Sequence, residues 1–276
     1  MVEVNFKSVA LPLVAGAFLI SRFVSRSTDS ASQSTDGTSS DKPVFGSGKM
    51  FDKFAHYYDM GNRFMSLGQD QSWRTGLLAE AEIQKTDNVL DLATGSADVA
   101  ISASASFHAK SVIGLDPSVE MLKVGRSKVD ALSITNIDLI EGDAQAMPQF
   151  QDGEFDKITM SFGIRNVPDR LKALKEMRRV IAAADSSRLA IMEFSAPPVG
   201  TILGNVARWF VRHVVPLIGG LITSATEEYR YLEESIFQFP SPAEFEGLIE
   251  SAGFEVVRTV SYAAGVVNVY IAKPKL

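Results

Sequence analysis

Cysteine is absent from the 276 residues, which excludes disulfides, thiolate nucleophiles and every cysteine-ligated metal or cluster. Histidine is scarce. His56, His108 and His213 are too far apart in the chain to form an HExxH pair, so zinc hydrolysis of that kind is excluded as well. Positive charge is in deficit: the net charge is −6, which disfavours binding to nucleic-acid phosphates, and no nucleic-acid partner is expected. Glycine is sparse where phosphate-binding loops need it. Gly46-Ser47-Gly48-Lys49 resembles the end of a P-loop, but Pro43 stands where its first glycine should be and Met50 where a Ser or Thr should be.

The −6 is unevenly placed. Residues 1–48 balance Glu3, Asp29, Asp36 and Asp41 against Lys7, Arg22, Arg26 and Lys42, so the whole excess of acid belongs to residues 49–276. The chain therefore divides into a 1–48 segment and a 49–276 domain. Ser8–Ser21 is uncharged, flanked by Lys7 and Arg22, and interrupted by Pro12 and Gly16. It falls short of the roughly 20 apolar residues of a spanning helix. It suits a targeting signal better, and the basic, serine-rich, acid-poor surroundings suit an organellar transit peptide; a retained membrane anchor and an ordinary frayed terminus are the alternatives. From Ser25 to Ser40 the residues are nearly all small and polar, which predicts a disordered linker.

From residue 86 short apolar runs alternate with helical stretches, the pattern of βαβ units and a mostly parallel sheet. Strands are expected at Asn88–Leu92, Ser111–Leu115, Ile137–Ile140, Phe155–Met160 and Leu189–Glu193, and a terminal antiparallel pair at Phe254–Val260 and Val266–Ala272. Helices are expected at Val119–Leu132, Asp169–Ile181 and Pro242–Ala252. In such a sheet ligands bind beyond the carboxyl ends of the strands. There the first strand runs into Asp91-Leu-Ala-Thr-Gly-Ser-Ala-Asp98, the second ends at Asp116, and the third is followed by Glu141-Gly-Asp-Ala144. A glycine-containing turn lets backbone approach a ligand. Asp116 is placed to accept two ribose hydroxyls, and Asp143 an adenine amino proton. Each acid alone also reads as an N-cap or turn residue. Three acids after three successive strands favour a nucleoside site. With Gly95 as the loop's single glycine, the GxGxxG fingerprint of a nicotinamide enzyme is missing.

Tyr58-Asp-Met-Gly-Asn-Arg-Phe-Met-Ser66 followed by Trp73, Ser161-Phe-Gly-Ile-Arg-Asn-Val167, Glu193-Phe-Ser195, Tyr229-Arg-Tyr-Leu232 with Ser235-Ile236, and Ala264-Gly-Val-Val267 together resemble one group. It is the UbiE/MenG group of class I S-adenosylmethionine methyltransferases, which methylates a ring carbon of prenylated quinols on the way to ubiquinone, menaquinone or phylloquinone. The resemblance runs from about Phe51 to the C-terminus. It implies a Rossmann-like, mostly parallel seven-stranded sheet with helices on both faces, S-adenosylmethionine as cofactor and a prenylated quinol as substrate. It also implies roles: Gly95 and Ser96 at the methionine portion, Asp91 orienting the loop and the cofactor ammonium, Asp116 at the ribose, Asp143 and Ala144 at the adenine, and Ser161 near the sulfonium.

Acting on the quinol, Arg165 is the candidate for electrostatic stabilisation of an oxyanion, with Asn166 assisting; Arg165 also reads as a salt bridge holding its loop. Tyr58 is placed to hydrogen-bond the quinol or to pack over the cofactor. His56 reads better as a surface histidine than as a base. The sequence departs from the group at Thr94 and Ala97, where glycines are usual, at Gly61 for Met, at Asp70 for His, and in the longer, glycine-free turn Ala182–Ser187. Thr94, Ala97 and the apolar N-terminal stretch define a second expectation, a catalytically inactive methyltransferase fold kept as a structural subunit of a membrane complex. In Thr201–Thr223, helical spacing sets Ile202, Leu203, Val206, Trp209 and Phe210 on one face and Asn205, Arg208 and Arg212 on the other. That is the pattern of a helix lying in a membrane interface with arginines toward anionic headgroups, and equally of a core or dimer helix. A mitochondrial or plastid location at a membrane surface follows as the expectation, with a quinone-biosynthesis complex or another membrane complex as the partner.

Overall fold

A computed structural model describes residues 59, 62, 63, 66, 68–197, 200, 202–209 and 234–276. The expectations for residues 1–48, Tyr58, His56, His213 and most of Thr201–Thr223 lie outside the described residues.

Seven strands form one sheet in the order β3-β2-β1-β4-β5-β7-β6. They are β1 (Asn88–Leu92), β2 (Ser111–Asp116), β3 (Ile137–Glu141), β4 (Lys157–Ser161), β5 (Arg188–Phe194), β6 (Phe254–Tyr262) and β7 (Val267–Pro274). The first five are parallel, and β7 inserts antiparallel between β5 and β6. The helices are α1 (Asp70–Glu80), α2 (Asp98–Ala105), α3 (Val119–Ala131), α4 (Arg170–Val180), α5 (Ile202–Trp209) and α6 (Pro242–Ser251). The expected strands and helices are present with ends displaced by a residue or two. Phe155 is the clearest case: it stands outside β4 and makes a single bridge to Ile181. Helix α1 was not anticipated, because it precedes the alternating pattern.

Chain direction across the sheet reverses at β1, which pairs with β2 on one side and β4 on the other. The carboxyl ends of β1 and β4 therefore flank the switch point where a ligand crevice opens. Central parallel strands are buried on both faces, and β1 divides its residues accordingly. Val89 belongs to a core with Leu77 and Leu78 of α1, Ala100 of α2 and Leu122 of α3. Leu90 and Leu92 belong to another, with Leu174 and Met177 of α4 and Phe245 and Ile249 of α6. Helix starts are fixed by side chains. Ser118 accepts from the Met121 amide and Asp169 from the Lys172 amide, and Ser241 and Glu244 form a capping box at α6.

Phe245 is fully buried, its ring 5.0 Å from Phe239 and 4.9 Å edge-on to Tyr270 of β7, so it ties α6 to the antiparallel edge. Phe245→Ala is expected to cost about 3–5 kcal/mol of unfolding free energy, measured by urea denaturation.

Candidate active site

The loop leaving β1 turns within five residues. Ala93, Gly95 and Ala97 have φ of +50°, +56° and +67°, and a left-handed alanine costs on the order of 1 kcal/mol. Two hydrogen bonds hold this turn to β2. The Thr94 amide donates to the Leu115 carbonyl at 3.2 Å, and the Gly95 amide donates to Asp116 Oδ2 at 2.8 Å. Asp116 Oδ1 accepts from the Ser118 amide at 2.8 Å, which fixes the carboxylate's orientation.

Asp116 and Gly95 line a cleft at the switch point, with Ala93, Leu115, Met121, Asp143, Ala144, Met160, Ser161, Phe162 and Asn166 among its walls. Asp143 is exposed at the rim, where its carboxylate accepts from the amide and the side chain of Gln145. Ala144 is buried beside it. The structure thus gathers Gly95, Asp116, Asp143, Ala144, Ser161 and Asn166 around one space. A smaller recess is lined by Arg74, Asp91, Thr94, Ser96, Asp98 and Val99, and shares Ala93, Gly95 and Ser161 with the cleft. At that junction the Ser161 hydroxyl is buried without a hydrogen-bond partner. An unspent buried hydroxyl is costly, and a ligand spanning the two spaces would satisfy it. The fit to an adenosine joined to an amino acid is good: apolar walls and strand-end acids in one space, charged groups in the other.

Asp91 is 1% exposed. Its oxygens accept from the Thr94 hydroxyl at 2.6 Å and the Thr159 hydroxyl at 2.7 Å. Burial pushes its pKa from 3.8 up to about 6, against the pull of both hydroxyls and of the Arg74 charge, while the Asp116 charge adds to the rise. Ser96 is buried, donating to Asp59 at 2.6 Å and accepting from Lys128 at 3.0 Å. Lys128 also pairs with Asp59 and with Asp98, at 2.8 Å for the latter. Asp98 in turn pairs with Arg74, which lies 3.7 Å from Asp70. Asp70, the departure from the family's histidine, is thereby paired. Asp59, Arg74, Asp98, Lys128 and Thr159 escaped the reading of the sequence. Asp59 and Asp98 lay within the quoted motifs, and Arg74 directly follows the quoted Trp73.

Thr94 and Ala97 are accommodated by glycines on neighbouring elements. A Cβ at Gly114 of β2 would lie 2.8 Å from Thr94 Oγ1 and 2.9 Å from its Cγ2. A Cβ at Gly125 of α3 would lie 3.1 Å from the Ala97 Cβ. The bulk added to the loop therefore occupies space that two glycines leave, and Thr94 uses its hydroxyl to hold Asp91.

Arg165 does not line the cleft. Its guanidinium is buried, bonded to Glu193 at 2.8 Å and to the Ser235 hydroxyl at 2.8 Å, and its own amide donates to Glu193 at 3.1 Å. On helix α5, Arg208 donates through Nε to the Pro197 carbonyl at 2.9 Å and lies 5.4 Å from the Phe237 ring centroid. Trp209 is 53% exposed. Among the described residues, no helix is long and apolar enough to cross a membrane.

Two outcomes follow. Asp91 is protonated in both folded and unfolded chains below about pH 4 and ionised in both above its folded value of about 6. Its ionisation therefore removes stability as pH rises, on the order of 3 kcal/mol. Urea denaturation of Asp91→Asn against the wild type should show the variant's relative stability higher at pH 8 than at pH 4. Gly114→Ala should destabilise the chain by about 1–3 kcal/mol, and by less in a Thr94→Gly background. A coupling of about 0.5 kcal/mol or more in the double-mutant cycle is expected.

Comparison with known proteins gives the family and agrees with the fold. The family described as "ubiE/COQ5 methyltransferase family" matches residues 38–273. The ubiquinone/menaquinone biosynthesis C-methyltransferase UbiE of Geotalea uraniireducens is 37% identical over 227 residues, covering 82% of this chain and 94% of that protein. The demethylmenaquinone methyltransferase of Thermus thermophilus is 39% identical over 207 residues, covering 75% of this chain and 92% of that protein. Among solved structures, an S-adenosylmethionine-dependent methyltransferase from Aquifex aeolicus superposes with a TM-score of 0.52 at 21% identity, over 72% of this chain and 88% of that one. The Haemonchus contortus phosphoethanolamine N-methyltransferase 2, solved with S-adenosyl-L-methionine, gives 0.61 at 14% identity, over 84% of this chain and 61% of that one. These two bear on the fold. With a match spanning nearly the whole domain and relatives this similar over most of its length, the chain belongs to the ubiE/COQ5 methyltransferase family.

Proposed function

We propose that the chain transfers a methyl group from S-adenosylmethionine to a ring carbon of a prenylated quinol, in ubiquinone or in menaquinone or phylloquinone biosynthesis. The relatives named above carry the reaction class. The observation that carries the site is the oriented Asp116 carboxylate beside the Gly95 turn, opening on a cleft whose far wall ends in the unspent Ser161 hydroxyl. Asp116 accepts the ribose hydroxyls. Asp143 and the backbone at Ala144 meet the adenine edge, and Leu115, Met121 and Met160 cover its faces. When bound, the cofactor supplies a methyl group already activated by its positively charged sulfur. The residues' work is then to align the acceptor carbon and exclude water.

Asn166 lines the cleft and is the loop residue placed to hydrogen-bond an acceptor hydroxyl. Arg165 acts one step back: its ion pair with Glu193 ties the Ser161–Val167 loop to the end of β5. The polyprenyl tail calls for an apolar entrance, and we place the enzyme at an organellar membrane surface, where a quinone-biosynthesis complex is the fitting partner. Support for that placement comes from the basic-flanked apolar stretch Ser8–Ser21 and from the exposed Trp209 on α5.

The test is methyl transfer from labelled S-adenosylmethionine to demethylated naphthoquinol and benzoquinol acceptors. Label in one or both is the expected result, and label in neither overturns the proposal. Asp116→Ala should weaken cofactor binding by about ten- to a hundredfold in calorimetry, the usual loss for hydrogen bonds to a charged group.

A further inference from the structure

One wall of the cleft has a feature that nucleoside binding leaves unused, a strained aromatic residue in the loop after β4. We infer that Phe162 is the platform on which the acceptor's aromatic ring stacks, and that Phe194 holds that platform in place. This rests on the proposed methylation of a quinol and names the residue that sets the acceptor's plane.

Phe162 is the one aromatic residue among the described residues that line the cleft. It is half-buried, so part of it stays open to a ligand. In the chain it lies between Ser161 and Asn166, which line the same space. Its φ is +58°. A bulky residue in the left-handed region is an outlier, and it persists only where its surroundings impose it. Here they do. The Phe162 amide donates to the Met192 carbonyl of β5 at 2.8 Å, and a Cβ on the following Gly163 would collide with the Ala93 Cβ. The loop is therefore pinned between β5 on one side and the turn leaving β1 on the other.

What this strain delivers is a ring at a fixed angle. Phe162 and Phe194 stack with centroids 4.4 Å apart and planes 22° apart. Phe194 ends β5, and its own ring centroid lies 5.9 Å from the Arg165 guanidinium carbon, within cation–π range. Arg165 is in turn held by its buried pair with Glu193. A ring backed in this way has little freedom left to lose when another ring settles on it. An acceptor lying flat against Phe162 sits in the loop bounded by Ser161, at the junction with the smaller recess, and by Asn166, the donor for its hydroxyl. A leucine at 162 would cover the wall equally well but would fix no plane.

Steady-state kinetics on the full chain separates a ring platform from a packing residue. S-adenosylmethionine is kept saturating, and the acceptor is whichever demethylated quinol, naphthoquinol or benzoquinol, the wild type methylates. Phe162→Leu should raise the acceptor KM by about three- to tenfold, the range for an aromatic pair beyond its buried area. Cofactor affinity by calorimetry should stay within about twofold, and Phe162→Tyr should restore the acceptor KM. Two competitive inhibitors test the wild type directly: 2-naphthol, and decahydro-2-naphthol, which keeps the carbon skeleton and hydroxyl but has no aromatic ring. The aromatic compound should bind the wild type about three- to tenfold more tightly, and Phe162→Leu should bring the two together. Equal inhibition of the wild type by both overturns the inference whether or not any variant folds. So does an unchanged acceptor KM in Phe162→Leu, or a cofactor affinity that falls in step with it. A wild type that methylates neither quinol overturns the quinol reading itself.

Discussion

A carboxylate at the end of one strand holding a backbone amide at the end of its neighbour is the contact on which the site depends. Asp116 fixes Gly95, and through it a loop with three left-handed residues in five. That loop sets where Ser96, Asp98 and the start of α2 fall. Because the same carboxylate is also anchored by Ser118, its orientation is settled by the protein and not left to a ligand. Groups held in advance lose little freedom on binding, and a methyl transfer that relies on alignment gains most from such a floor.

Around this contact the chain spends buried charge on holding distant segments together. Asp59, Lys128, Asp98, Arg74 and Asp70 form a continuous ionic chain joining the segment ahead of α1 to α1, α2 and α3. Arg165 and Glu193 do the same between the β4 loop and β5. Removing one partner of the buried Arg165–Glu193 pair would leave the other uncompensated, whereas Lys128 and Asp59 keep contact with solvent.

Much of this architecture was readable from periodicity. Each parallel strand is a short apolar run between helical stretches, and the acids at Asp91, Asp116 and Asp143 marked the strand ends without any knowledge of tertiary contacts. What escaped has a common cause. Arg74 sits on α1, ahead of the alternating pattern, and its importance comes from Asp98, twenty-four residues away. Arg165 stands in a motif that invites a direct role, yet its environment is set by Glu193 and Ser235, which no local spacing reveals. Thr94 and Ala97 looked like losses because their compensating glycines lie on β2 and α3. Spacing reports which face a residue occupies; the partner across the interface appears only once the chain has folded.

Those two pairs also bind the loop and its neighbours into one unit for any redesign. A side chain at position 114 would meet Thr94 and the Leu139 Cδ2 atom together, the latter at 2.6 Å. Thinning the loop at 94 alone leaves the Leu139 contact in place, so β2, β3 and the loop can be recast only as a set.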